Sequence, residues 1–423
     1  MKQHIVIVGG GFAGAALVRQ LQHKLPEGHA LLWVSEDSYT TFNPLLPEAV
    51  GASIFPEHVV APLREILRVG ADHRFIMGKV TAVERDKKTI TCTSLVGSMT
   101  LSYSQLVLAF GNRARLNLIP GMAEHALPLK TVGDAMEIRN VVLRRLAGLE
   151  LTQDPSERRC LGHFIVIGGG FSGVEVAGEL VDCLHSIRRY YPSVEQNELR
   201  VTVVQSIDKL LPELPAALGQ AALRSLRKRG AQVLLNVSAN QISSQGVLLS
   251  SGEWALAATV ICTIGTEANA LATELGLPLE RGRIITQADM RIAGQDSLWA
   301  VGDCAWIPNA DDGRACLPTA QFAVQQAKLL ADNLVRHLQF RATRSFSYQT
   351  RGTMAGIGHM KGVAQVMGVS FTGLPAWLLW RAYYLSQMPT MGRKLRIFIE
   401  WTWGMFFPTD ITHLRFARSK DQK

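Results

Sequence analysis

The chain writes one short phrase twice. Residues 4–17, HIVIVGGGFAGAAL, return at 163–176 as HFIVIGGGFSGVEV. Each copy is an apolar, β-branched run, a triple glycine, and a helical stretch that holds one more glycine. The pattern predicts a strand entering a tight turn, whose bare backbone approaches a pyrophosphate at the positive N-terminus of the following helix. The G-x-G-x-x-G positions are Gly9, Gly11 and Gly14 in the first copy and Gly168, Gly170 and Gly173 in the second. One such pattern alone reads equally well as an ordinary glycine turn. Two, each after a strand of the right length, predict two dinucleotide sites, one tightly held and one exchanging.

A chain of 423 residues exceeds one small core and predicts two or three domains. Hydrophobic residues at 47% and charged residues at 19% describe a globular protein rather than a disordered one. Only MKQ precedes the first motif, so no export or transit segment is expected and the compartment reads as cytosol-like. The six cysteines, Cys92, Cys160, Cys183, Cys262, Cys304 and Cys316, contain no C-x-x-C and are expected as reduced thiols. The eleven histidines show no ligand spacing and NADDGR is short of carboxylates for a calcium loop, so no structural metal is expected.

Strand-like and helical runs alternate through most of the chain, which argues for parallel sheets with helices on both faces. HALLWVS, QLVLAFG, LRVTVVQ, AQVLLNV and ATVICTIG read as strands, and GDAMEIRNVVLRRLAGL, ALGQAALRSLRKRG and PTAQFAVQQAKLLADNLVRHL as helices. The expected fold is α/β, with two Rossmann-like units, the second inserted in the first. The expected boundaries are 1–118 and 278–342 for the first dinucleotide domain, 119–277 for the second, and 343–423 for a C-terminal amphipathic region.

FNPLLPE, IPG followed by LKTVGDA, GGGFSGVEVAGEL, LWAVGDCA and PTAQFAVQQAK, in register from about residue 4 to 340, together resemble the type II NADH:quinone oxidoreductases. These are single-chain flavoenzymes with two Rossmann-like domains. The resemblance implies that Gly9, Gly11 and Gly14 face a tightly bound FAD, that Asp303 approaches its ribityl and phosphate end, and that Gly168, Gly170 and Gly173 take NADH. It places Glu175 near the nicotinamide and flavin, although a carboxylate in the first turns of a helix is also favoured by the helix dipole. It assigns Gln321 and Gln325, four residues apart on one helical face, to the quinone pocket, where an amide can donate to a carbonyl. Without that context the two read as polar positions of an exposed helix, and Asp303 as a turn. Pro44 and Leu45 would form a wall of the quinone region.

Two positions depart from the pattern. The acidic residue expected on the FAD ribose falls at Ser35, with Glu36 one step on; either Glu36 substitutes or Ser35 makes a weaker bond. In the second unit the corresponding strand ends on Gln205, where NADH selectivity calls for a carboxylate. An amide does not repel a 2′-phosphate and Lys209 is close in sequence, so NADPH is expected to be accepted alongside NADH.

The formal charge of +9 raises the question of nucleic acid, but its distribution argues against that partner. From Leu374 onward eight Lys/Arg (Arg381, Arg393, Lys394, Arg396, Arg415, Arg418, Lys420, Lys423) face three acids, and four of the eight tryptophans, Trp377, Trp380, Trp401 and Trp403, lie there too. Interleaved Trp, Arg and Lys suit a membrane interface, in stretches too short to span a bilayer. A homodimer interface is the alternative and is compatible with it.

The expected activity is hydride transfer from NAD(P)H to FAD and two electrons onward to membrane quinone, without proton pumping, at the cytoplasmic face of the inner membrane. A sulfide:quinone oxidoreductase would use two cysteines, for which Cys160 and Cys316 are the candidates. A membrane-bound, nucleotide-binding redox sensor is the alternative outside enzymology.

Overall fold

The computed structural model describes residues 2–68, 73–350 and 352–414. The chain divides into two compact units. Unit 1 comprises Met1–Thr41, Val60–Arg113 and Thr266–Thr350; unit 2 comprises Phe42–Val59, Ala114–Gly265 and the C-terminal residues from 351 on.

Unit 1 carries a seven-stranded sheet ordered 298–300, 105–108, 3–8, 29–35, 74–84, 89–94, 97–102. The glycine-turn strand Gln3–Val8 is central. It pairs in parallel with His29–Ser35 on one side, Ile5 opposite Leu31, and with Gln105–Leu108 on the other, Ile5 opposite Gln105. The strand order therefore reverses at the end of this strand, the point where open α/β sheets bind ligands. Ile5, Val6 and Ile7 are fully buried, as the apolar run requires of a strand covered on both faces. The helices Phe12–Leu21 and Ala320–Leu338 pack against each other. The hairpin strands Arg74–Glu84, Thr89–Ser94 and Gly97–Ser102 extend the sheet in antiparallel fashion.

Unit 2 repeats the plan in a five-stranded parallel sheet ordered 127–128, 259–262, 163–167, 200–205, 232–235. His163–Ile167 occupies the central place and leads into the helix Phe171–Ile187. The segment Phe42–Val59, which falls inside the expected boundary 1–118 of the first domain, groups with this unit.

The C-terminal region is more than an amphipathic tail. Gly352–Gly356, Gly362–Val366 and Val369–Thr372 form a three-stranded antiparallel sheet, and the two apolar stretches after it fold as helices Leu374–Gln387 and Met391–Trp403. Thr390 caps the second, accepting from Arg393 N–H. Among the described residues no helix is long and apolar enough to cross a membrane. Arg415, Arg418, Lys420 and Lys423, counted above in the basic tail, lie outside the described residues.

Candidate dinucleotide sites

Both glycine turns are built the same way. Gly9 has φ +117° and Gly168 +113°, a backbone region that side chains rarely adopt. A Cβ on Gly14 would overlap the Gly9 carbonyl oxygen, and one on Gly173 the Gly168 carbonyl oxygen, so the third glycine lets each helix press onto the end of its strand. Gly11 and Gly170 are different: a Cβ on either would meet nothing within 4 Å. Each is the N-cap of its helix, with no side chain capping it and no acid in the first turn. Space is thus open beside each N-cap, at the positive end of the helix dipole, where the start of a helix can take an anion such as a pyrophosphate.

In unit 1, Trp33 Nε1–H donates to the Gly9 carbonyl at 2.9 Å and fixes the turn from the neighbouring strand. Ser35 ends that strand, buried, with its hydroxyl against the backbone of Gly10. Glu36 is exposed, its carboxylate 3.9 Å from Lys79 Nζ. Asp303 sits on the short 3-10 turn Gly302–Cys304. Gly302, at φ +76°, packs its backbone against Ala13, and its N–H donates to Gln326 Oε1 at 3.0 Å. The fold therefore brings Asp303's turn to the first glycine helix and to the helix carrying Gln321 and Gln325, both half-buried. Gln326, not among the candidates named from sequence, is a buried amide of this helix and ties it to the Asp303 turn. Its signal was available, since Gln326 shares the face of Phe322 and Ala323, both buried.

In unit 2, Gln205 ends its strand buried and braces the second glycine turn. Its Oε1 accepts from Gly169 N–H at 2.8 Å and its Nε2 donates to the Lys209 carbonyl at 3.2 Å. Glu175 lies on the second glycine helix, buried, its Oε1 accepting from Gly356 N–H at 3.0 Å. Burial, with Glu48 and Glu179 nearby, pushes its carboxyl up to about 8. Two further carboxylates in this unit, Glu48 and Glu179, were not singled out from sequence. Glu179 follows Glu175 by four residues on the same helical face, and Glu48 closes the FNPLLPE motif. Pro44 and Leu45 form part of a 3-10 turn, with Leu45 fully buried.

The six cysteines are unpaired. Burial pushes the Cys316 thiol up to about 11 and those of Cys183, Cys262 and Cys304 to about 12, which disfavours the nucleophilic thiolate that sulfide oxidation needs.

The family model for pyridine nucleotide-disulphide oxidoreductases matches residues 3–327. The chain is 26% identical over 414 residues to a type II NADH:quinone oxidoreductase, Ndh, of Mycobacterium tuberculosis, covering 95% of this chain and 88% of that one. It is 28% identical over 379 residues to a type II NADH:quinone oxidoreductase of Staphylococcus aureus, covering 89% and 92%. In fold it is similar to NDH2 from Plasmodium falciparum in complex with NADH, with a TM-score of 0.90 at 19% identity, covering 97% of this chain and all of that one. The reduced CoADR-RHD of Bacillus anthracis is similar at a TM-score of 0.68 and 22% identity, over 90% and 64%.

Proposed function

Because the chain belongs to the pyridine nucleotide-disulphide oxidoreductase family, we propose that it is an FAD-dependent NADH:quinone oxidoreductase. The observation that carries this reading is the duplicated cradle. Two helix N-termini, each uncapped and each reached over a bare glycine backbone, give one chain room for two dinucleotides. Bound FAD would supply the redox chemistry, hydride acceptance from reduced nicotinamide and two-electron delivery to an acceptor. Gly9, Gly11 and Gly14 would hold it at the pyrophosphate, Ser35 would lie toward its adenosine side, and Asp303 would offer a carboxylate to its ribityl end. Gly168, Gly170 and Gly173 take the nicotinamide nucleotide, while Gln321 and Gln325 offer amides to the quinone. Glu175 serves beside the nicotinamide as a buried acid that keeps its proton near neutral pH. The protein's contribution is positioning and hydrogen bonding.

Gln205 carries a second part of the proposal. Its amide is neutral, and both its donor and its acceptor are engaged by backbone, so no carboxylate stands at the strand end to repel a 2′-phosphate. NADPH is accepted alongside NADH.

The C-terminal helices dock on a lipid surface. Leu374, Leu378, Met391, Leu395, Phe398 and Trp403 are exposed, and Arg393, Lys394 and Arg396 interleave with them on Met391–Trp403. Bulky apolar side chains among cations match an anionic bilayer interface. The proposed location is the cytoplasmic face of the inner membrane. A second copy of the chain is the competing occupant of this surface. Flotation with anionic vesicles against a monomer–dimer analysis separates the two, and a stable dimer that ignores vesicles overturns the membrane reading.

The experiment for the function is anaerobic. NADH, and separately NADPH, is added to the purified flavoprotein while the flavin absorbance is followed, and a short-chain quinone is then added. Bleaching by nucleotide and recovery with quinone is the expected result. A flavin that ignores both nucleotides but bleaches with sulfide would move the assignment to sulfide oxidation.

A further inference from the structure

Unit 2 buries three carboxylates together. Glu175 and Glu179 project from one face of the helix Phe171–Ile187, and Glu48 comes from the helix Leu46–Val50; all three are no more than 8% exposed. Each has a neutral hydrogen-bond donor: Gly356 N–H to Glu175 at 3.0 Å, Ser53 hydroxyl to Glu179 at 2.7 Å, and Trp401 indole N–H to Glu48 at 2.6 Å. Among the described residues, the cation facing Glu48 and Glu179 is Arg381, whose Nη2 is 3.8 Å from Glu48 Oε1. Its guanidinium is wedged over Trp377 at 3.6 Å and Trp401 at 4.6 Å from the ring centroids, so it cannot swing toward solvent without giving up both rings.

The other charged groups around the cluster are already matched. Asp182, which faces Glu179, is paired with Arg229 at 2.8 Å and accepts from His359 N–H. Glu400, which faces Glu48, is paired with His58 at 2.5 Å. Tyr384 faces Glu175, and burial raises its hydroxyl so that it stays neutral. His359, beside Arg381 and Lys361, is lowered by burial and also tends to neutrality. Among the described residues, three buried carboxylates against one guanidinium leave an excess of negative charge that a low-dielectric interior relieves by holding protons. In keeping with that count, burial raises Glu48, Glu175 and Glu179, the last two to about 8.

We propose that Glu48, Glu179 and Arg381 are positioning residues that set the charge at Glu175: the two carboxylates hold a proton on the cluster, the guanidinium limits how tightly, and their balance fixes the pH range of turnover. The inference rests on the reading of Glu175 as a group that serves NADH:quinone oxidoreduction. Removing a neighbouring negative charge makes Glu175 easier to ionise. Removing the neighbouring cation leaves the cluster more negative and makes ionisation harder.

The test uses the full-length, flavin-loaded protein as wild type, Glu48→Gln, Glu179→Gln, Arg381→Lys and Arg381→Met. Two quantities are read across pH 6 to 10: kcat with NADH and a short-chain quinone, and the infrared absorption of protonated carboxyl groups, which is independent of turnover. The wild type is expected to lose kcat with a midpoint near pH 8. Glu48→Gln and Glu179→Gln each move that midpoint down by about half to one pH unit. Arg381→Met moves it up, and Arg381→Lys restores the wild-type value. The protonated-carboxyl band persists above pH 7 in the wild type and weakens in Glu179→Gln. A purely structural role lowers kcat at every pH and leaves the midpoint in place; that result, or a wild type without the infrared band at pH 7, overturns the proposal. Should one variant fail to fold, the remaining ones carry the comparison. A wild type without quinone reductase activity instead defeats the functional reading, and the infrared titration still decides whether the cluster holds its proton.

Discussion

Trp401 donates its indole N–H to Glu48 Oε2 at 2.6 Å, joining residues 353 positions apart. Both side chains are buried, and the bond ties the C-terminal helix Met391–Trp403 to the helix that ends FNPLLPE. Trp401→Phe keeps most of the ring but removes the donor, leaving a buried carboxylate oxygen unmatched. The expected loss is about 1–3 kcal/mol of stability, read as a lower thermal midpoint of the flavin-loaded protein. An unchanged midpoint would mean that this bond does not hold the helix.

The glycine turns separate the two cofactors genetically. A side chain at Gly14 collides with the Gly9 carbonyl, and one at Gly173 with the Gly168 carbonyl. Gly14→Ala is expected to abolish flavin retention, whereas Gly173→Ala retains flavin and weakens NADH binding at least about tenfold, roughly 1.4 kcal/mol. Flavin content by absorbance and a nucleotide titration check both. Flavin loss in Gly173→Ala alone would reverse the assignment of the two turns.

The glycine turns and the central strands were legible because their constraints are local: β-branched runs buried on both faces, and glycines where backbone passes backbone. The three-stranded sheet of 352–372 was not legible. Its strands are short and rich in glycine, and its last strand, Val369–Thr372, has mostly exposed positions, so no alternation marks a buried face. The cluster around Arg381 was equally hidden. Glu48, Glu179 and Arg381 lie 131 and 202 residues apart along the chain, and only the fold shows that they share one buried space. Gln205 was singled out by its position at a strand end, but the way it braces Gly169 depends on a rotamer that sequence does not carry.

Gln205→Glu restores a carboxylate at the strand end while keeping an acceptor for Gly169 N–H. Its second oxygen then faces the Lys209 carbonyl, which now accepts from the Gln205 amide, so a modest loss of stability accompanies the change. The wild type is expected to use NADH and NADPH within about a hundredfold of each other in kcat/KM, and the variant to lose about tenfold or more with NADPH alone. Steady-state kinetics with both nucleotides checks this. A wild-type preference for NADH of several orders of magnitude would sink the expectation of relaxed choice.

The buried acids also predict how stability depends on pH. Glu175 and Glu179 have ordinary values of 4.5 and are raised to about 8 in the folded chain, so between those limits the native state binds more protons than the unfolded state. Their contribution is fully present below pH 4.5 and is lost as pH rises through 8. Glu198 works the other way. Its bidentate pair with Arg158, at 2.6 and 2.8 Å, holds it below 4.5, and its contribution is lost as pH falls through that lowered value. His163 and His359, lowered from 6.5 by burial, add stability as pH rises toward 6.5 and blur a simple profile. The double variant Glu175→Gln, Glu179→Gln isolates the two acids, because glutamine imitates the protonated carboxyl at every pH. Relative to wild type it is expected to gain stability from pH 5 to about pH 8 and to level off above that, by several kcal/mol overall, read by denaturant unfolding at each pH. A difference that stays constant with pH would mean that the two carboxyls ionise as ordinary surface acids do.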